Sequence, residues 1–105
     1  MATAEVRVSG LPVRKESIRE RLPGAVIEHN EVVVRSALGR SLPLNDHLVG
    51  LWNVLRQHRR FLKSLQQEGG KLTCRCMIPK SGAILKPNGA EMLHLLEMEL
   101  VLEIG

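Results

Sequence analysis

Apolar residues recur at helical spacing over a long stretch in the middle of the chain. The stretch covers residues 48–65; Asn45 or Asp46 can cap its start, and Gly69 and Gly70 end it. Steps of three or four residues place its apolar side chains on one face of a helix. These side chains are Leu48, Leu51, Trp52, Leu55, Phe61, Leu62 and Leu65. We therefore predict a main helix of about 20 residues, roughly 30 Å long.

Alternation of polar and apolar residues, which is typical of strands, appears near both ends of the chain. Residues 5–8 and 71–78 alternate in this way, and Leu100, Leu102 and Ile104 share one face of the last segment. We predict a strand in each place. We also predict a short edge strand over residues 84–86, after a turn that begins at residue 80.

Two β-branched runs, residues 25–28 and 31–35, flank His29 and Asn30. Asparagine tolerates the left-handed backbone conformation that a tight hairpin requires, so a hairpin is the first interpretation. The alternative is one long strand with a bulge at Asn30, and periodicity does not separate the two.

Two shorter helices complete the pattern, one over about residues 14–22 and one that begins near Asn88, with Glu91 in a capping position. In order, the elements predict an α+β domain close to the ferredoxin-like split βαβ arrangement. The sheet is expected to be mostly antiparallel, with two main helices and a short C-terminal helix on one face.

The composition is that of an ordinary globular protein. The chain has 105 residues, of which 44% are hydrophobic and 25% charged, so we expect one domain over residues 1–105. No apolar stretch approaches the length of a membrane span, and the first residues lack a secretory leader pattern. A cytoplasmic location is the expectation that follows.

Cys74 and Cys76 lie two residues apart on the apolar face of a predicted strand. A disulfide between them would require strained geometry, and no nearby His or Cys completes a zinc site. We expect two reduced thiols that pack as small hydrophobic groups.

No arrangement of residues indicates catalysis or a cofactor. The four histidines do not stand at metal-ligand spacing, no Gly-x-Ser-x-Gly or phosphate loop is present, and neither thiol has an activating partner. His47, beside Asp46, is expected to be capping or exposed. The alternative is an enzyme or small-ligand domain whose site is assembled from scattered polar residues, for which His29, Arg35, Asp46 and His47 are examples.

A basic stripe is the surface feature with the clearest chemical character. Arg56, Arg59, Arg60 and Lys63 recur at three- and four-residue steps along the outer side of the main helix, in a chain of net charge +4. Such stripes are often merely solvated; the functional alternatives are an acidic protein surface and nucleic-acid phosphate. One Trp, one Phe and no Tyr leave almost nothing on which bases could stack, which disfavours nucleic acid.

Three segments carry a resemblance to a known family. The start at residues 6–10, the long helix at residues 45–67 with Glu68-Gly69-Gly70, and the tail at residues 85–104 resemble a bacterial domain family of unknown function. Some members of that family are thought to neutralise toxins. The resemblance implies a non-enzymatic protein-interaction domain, of the toxin-neutralising or immunity type, and assigns no functional residues. A homodimer through an edge strand is a further expectation, because edge strands offer unpaired backbone groups.

Overall fold

The computed structural model describes residues 1–105 as an α+β protein with one five-stranded mixed sheet. The strands are β1 Thr3–Ser9, β2 Val26–Glu28, β3 Glu31–Arg35, β4 Lys71–Ile78 and β5 Glu99–Ile104. The helices are α1 Lys15–Arg21, α2 Leu44–Leu55, α3 Arg59–Gln67 and α4 Pro87–Leu95. Short 3-10 turns, Pro12–Arg14 and Arg56–His58, precede α1 and α3.

The strand order across the sheet is β2-β3-β1-β4-β5. The pairings of β1 with β3, of β1 with β4 and of β2 with β3 are antiparallel, whereas β5 pairs with β4 in parallel. The mostly antiparallel sheet expected from the sequence is therefore present, with a parallel strand added at one edge.

The hydrophobic core lies between the helices and one face of the sheet. Alternate residues of the central strands point into it, as in Val6 and Val8 of β1 and Leu72 of β4. Cys74 and Cys76 belong to the same core as free, buried thiols, as the alternation predicts. Each helix contributes apolar residues to this core, which places the helical layer on a single face of the sheet.

The prediction of one continuous main helix is wrong, because a 3-10 turn at Arg56–His58 separates α2 from α3. The physical reason is visible in the apolar spacing. Buried positions follow helical steps up to Leu55, but the next buried residue is Phe61, six positions later. A straight helix would point polar His58 and Arg59 at the core, and the turn shifts the buried face of α3 instead.

The predicted edge strand over residues 84–86 is also wrong, since this segment is an irregular loop that leads into α4. The side chain of Asn45 holds the end of the loop: its Oδ1 accepts a hydrogen bond from the Lys86 backbone N–H at 2.8 Å. Its Nδ2 donates to Asn88 Oδ1 at 3.0 Å. Asn45 and Asn88 are therefore bridges between α2 and α4, and neither acts as the helix cap that the sequence suggested.

The hairpin interpretation of residues 25–35 is confirmed. β2 and β3 pair in antiparallel register with Glu28 opposite Glu31, and the two-residue loop between them has φ values of 51° at His29 and 64° at Asn30. Positive φ at both loop positions is the geometry that matches the twist of a hairpin.

The open face of the sheet, opposite the helices, carries a network of ion pairs. Arg7 contacts Glu5 and Glu31, and Arg35 contacts Glu28 at 2.6 Å and Glu5 at 3.5 Å. Hydrogen bonds from Arg35 hold the pKa of the Glu28 carboxyl below its ordinary value. The network stands in place of a second helical layer.

The Arg35 contact predicts a pH dependence of stability. The pKa of the Glu28 carboxyl is lower in the folded chain than in the unfolded chain. The Glu28–Arg35 contact therefore adds to the free energy of unfolding at pH values above the unfolded pKa, and this stabilisation is lost as pH falls through the folded pKa. In urea unfolding experiments, the free energies of unfolding of the wild type and of Arg35→Gln should therefore become more similar as pH is lowered from about 5 to about 3. Arg60→Gln, which removes the same charge from an exposed position without an ion pair, should show no such narrowing.

Helices α3 and α4 end in the same backbone motif. At the end of α3, the Gly70 N–H bonds to the Leu65 carbonyl and Gly69 has φ 100°. At the end of α4, the Met98 N–H bonds to the Leu93 carbonyl, and Glu97 occupies the left-handed position with φ 49°. This is the Schellman arrangement, which normally uses glycine at that position.

Glu97→Gly should stabilise the protein by about 0.5–1 kcal/mol, because glycine adopts the left-handed conformation without the steric cost of a Cβ. Glu91→Gly, an exposed position inside the same helix, should instead cost about 1 kcal/mol. Thermal and urea unfolding of both variants measures the two effects, and a change of the same sign in both would contradict this account.

Candidate partner-binding surface

Arg56, Arg59, Arg60 and Lys63, called here the basic surface, lie together over the 3-10 turn and the first half of α3. The three arginines are exposed and Lys63 is half-buried. Phe61 and Leu62, which lie between Arg60 and Lys63 in the sequence, point into the core, and the four cationic side chains lie on the other side of the helix. The predicted stripe is therefore present, but it lies on a 3-10 turn and α3 and not on one continuous helix.

The basic surface takes no part in the ion pairs of the chain. Of the 15 Lys and Arg residues, 6 form ion pairs, and 7 of the 11 acidic residues are their partners. Between residues 47 and 67 the sequence contains no Asp or Glu. Glu68, the next acidic residue, pairs with Arg14 at 2.5 Å. The positive charge of this surface is therefore not neutralised by ion pairs within the chain.

The position of Arg59 and Arg60 in α3 adds to this electrostatic imbalance. They occupy its first turn, which holds no acidic residue and no side-chain cap. Positive charge at a helix N-terminus opposes the helix dipole. These residues therefore bring little stability to the fold.

Arg21 of α1 extends the positive charge and was not foreseen from the sequence. Its guanidinium carbon lies 3.9 Å from the centroid of the Phe61 ring, a cation–π contact between α1 and α3. Arg21 and Phe61 are far apart in the sequence, so no local pattern could have indicated this contact. The contact places a fifth cation next to the residues of the basic surface.

The structure does not bring together the polar residues of the alternative site. His29 is exposed in the hairpin turn, and Arg35 lies in the ion-pair network of the open face. His47 is buried, and its Nδ1 lies 2.8 Å from Ser36 Oγ. The expectation that His47 is capping or exposed is therefore wrong: the N-cap of α2 is Pro43, two or three residues before the predicted cap, and His47 lies inside the helix with its ring buried.

Asp46 lines a groove of about 660 Å³ beside the loop of residues 79–86. Arg40 and Lys86 contribute positive charge to the groove, and Leu42 and Ile84 contribute apolar surface. The other three polar residues of the alternative site do not line it. No group of three or more His, Cys, Asp or Glu side chains is placed to hold a metal ion.

The sulfur atoms of Cys74 and Cys76 are 3.7 Å apart within the core. Their mutual hydrogen bond and burial raise the pKa of the Cys74 thiol. A raised pKa and a buried position are typical of structural cysteines and not of reactive ones.

Comparison of the chain with protein-family models, curated proteins and solved structures finds no match. None of its helices combines the length and apolar character needed to cross a membrane.

Proposed function

We propose that this chain is a small non-enzymatic protein-interaction domain whose basic surface binds an acidic surface of a protein partner. The observation that supports the proposal is the isolation of this positive charge. Seven acidic residues neutralise cations elsewhere, while Arg56, Arg59, Arg60 and Lys63 have no acidic partner. Complementary charge speeds encounter and selects partners, and both effects weaken as salt increases.

The proposal extends to the kind of partner. The resemblance of the sequence to a bacterial family with toxin-neutralising members suggests an immunity-type role, in which the domain covers a toxin in the cytoplasm. In the same way we propose the ferredoxin-like split βαβ arrangement for β1 to β4. It is supported by the order β2-β3-β1-β4 and by helices that connect β1 with β2 and β3 with β4.

Nucleic acid is a less suitable ligand for this surface. Proteins that bind single strands stack the bases on aromatic side chains. The one Trp and the one Phe of this chain, Trp52 and Phe61, are 5% and 7% exposed. The basic surface therefore offers charge without a stacking platform, which suits the carboxylates of a protein.

The binding contribution of the basic surface can be measured with a charge-neutralising variant. We expect the change of Arg56, Arg59, Arg60 and Lys63 to Gln to weaken binding of a labelled poly-L-glutamate peptide about tenfold or more at about 50 mM salt. This estimate takes a few tenths of a kcal/mol to 1 kcal/mol for each exposed charge contact. Wild-type binding should itself fall steeply towards about 0.5 M salt, where the screening length is shorter. Fluorescence anisotropy measures both affinities.

A matched control variant distinguishes the effect of the basic surface on binding from the effect of the net charge of the chain. Lys15, Arg40, Lys80 and Lys86 form no ion pairs, so their change to Gln removes the same four charges from other places. The control variant should keep most of the wild-type affinity for the peptide. Equal loss in both variants would refute a specific surface. Tighter binding of a DNA duplex than of poly-L-glutamate through the same four residues would refute the protein partner.

A further inference from the structure

The two edges of the sheet differ in how they are protected. β2 is only three residues long, and its Glu28 takes part in the ion-pair network. β5 is six residues long, contains neither Lys nor Pro, and has the sequence Glu-Leu-Val-Leu-Glu-Ile. Natural proteins usually shorten, charge or cover an edge strand, because its unpaired backbone groups attract other strands. Of these protections β5 has only the charges of Glu99 and Glu103, and both carboxylates are already ion-paired with β4, to Lys71 and Arg75.

The direction of the backbone groups of β5 follows from its pairing with β4. Gly105 donates its N–H to the Ile78 carbonyl, so its backbone groups point towards β4. Because these groups alternate along a strand, those of Leu100, Leu102 and Ile104 point away from the sheet. The outer edge therefore presents three residues with unpaired N–H and C=O groups.

The same three residues, called here the apolar edge, also carry uncovered side chains. They lie on the helical face of the sheet, in register with Cys74, Cys76 and Ile78. The helical layer buries the two cysteines completely but leaves Leu100, Leu102 and Ile104 37%, 50% and 69% exposed. α4, the nearest helix in sequence, packs against α2 instead.

We propose that two copies of this chain pair through β5 in antiparallel orientation, about a two-fold axis at Leu102, to form a continuous sheet. In this register Leu102 faces its own copy and Leu100 faces Ile104 of the second copy. Every outward backbone group of the apolar edge then finds a hydrogen-bonding partner. The helices of both copies lie on the same face of the continuous sheet. The apolar-edge side chains of the two copies, three from each, therefore contact one another on that face, between the two helical layers.

Charge also favours a second copy as the occupant. Glu99 pairs with Lys71 at 3.1 Å, and Glu103 pairs with Arg75, so two copies bring no unneutralised like charges together. Val101 lies opposite Arg75 in the sheet, and in the proposed register its other neighbour is Glu103 of the second copy. Arg75 would then lie about two strand spacings, or about 10 Å between backbones, from that carboxylate. An arginine and a glutamate side chain can span this distance.

The dimer does not depend on the basic surface, and its test needs no acidic partner. Sedimentation velocity of the wild type at about 0.5 mM should give an average mass of about 1.7 to 2 times the monomer mass of 11.7 kDa. Even a Kd of about 0.1 mM leaves roughly three-quarters of the chains paired at this concentration. Leu102→Lys should give the monomer mass, because it places two cations face to face on the axis. Val26→Lys, at a 43% exposed position on the opposite edge, should remain dimeric. A monomeric wild type, or a dimer that Leu102→Lys leaves intact, would overturn the proposal.

Amide hydrogen exchange tests the geometry in the unmodified protein. At about 0.5 mM, the N–H groups of Leu100, Leu102 and Ile104 should exchange about threefold more slowly than in a sample diluted to about 10 µM, because a Kd of about 0.1 mM leaves about a quarter of the chains unpaired at the higher concentration and most of them unpaired at the lower one. The N–H of Ile27, which points outward from β2 because the Glu28–Glu31 pair closes the hairpin, should show no change. A wild-type dimer whose three apolar-edge amides exchange as fast as in the diluted sample would show that another surface joins the copies.

Discussion

The central strand β1 is the element on which the rest of the structure depends. It pairs along its length with β4 and, over its second half, with β3, so every other strand takes its place from it. Its period of two then assigns the chemistry of the two faces. The core face of β1 carries Ala4, Val6 and Val8. Its opposite face carries the ion-paired Glu5 and Arg7. A shift of one residue in this register would exchange the two sets and bury the ion pair.

From this division comes the difference between the surfaces of the molecule. On the open face, charges are held in pairs that cover the sheet, and Val33 is fully buried beneath them although it lies outside the helical core. On the helical side, α3 contains no acidic residue and its three cations form no ion pairs. One set of charges completes the fold, and the other is left available to a partner. Net charge alone, at +4, does not reveal this distribution.

Strict alternation and glycine stops allowed much of the fold to be predicted from the sequence. β1, β4 and β5 follow from period two, and the end of α3 follows from Gly69 and Gly70. Periodicity does not predict the break after Leu55, because the apolar residues on its two sides each follow helical spacing and only the six-residue step to Phe61 separates them. The residues of the basic surface were placed correctly on the outer side. Their lack of ion pairs and the approach of Arg21 depend on tertiary contacts, which periodicity does not contain.

The strand order also has a consequence for synthesis of the chain on the ribosome. β1 is made first, yet the register joins Thr3 with Met77, so its partner on one side is translated about 70 residues later. Until β4 emerges, β1 and β3 can form only part of the sheet, and the apolar residues intended for α2 and α3 already follow behind them. Helices form within about a microsecond, whereas strands that are distant in the sequence pair much more slowly. The helical segments are therefore expected to shield the unfinished sheet during translation, and the centre of the sheet can be completed only after β4 has been made.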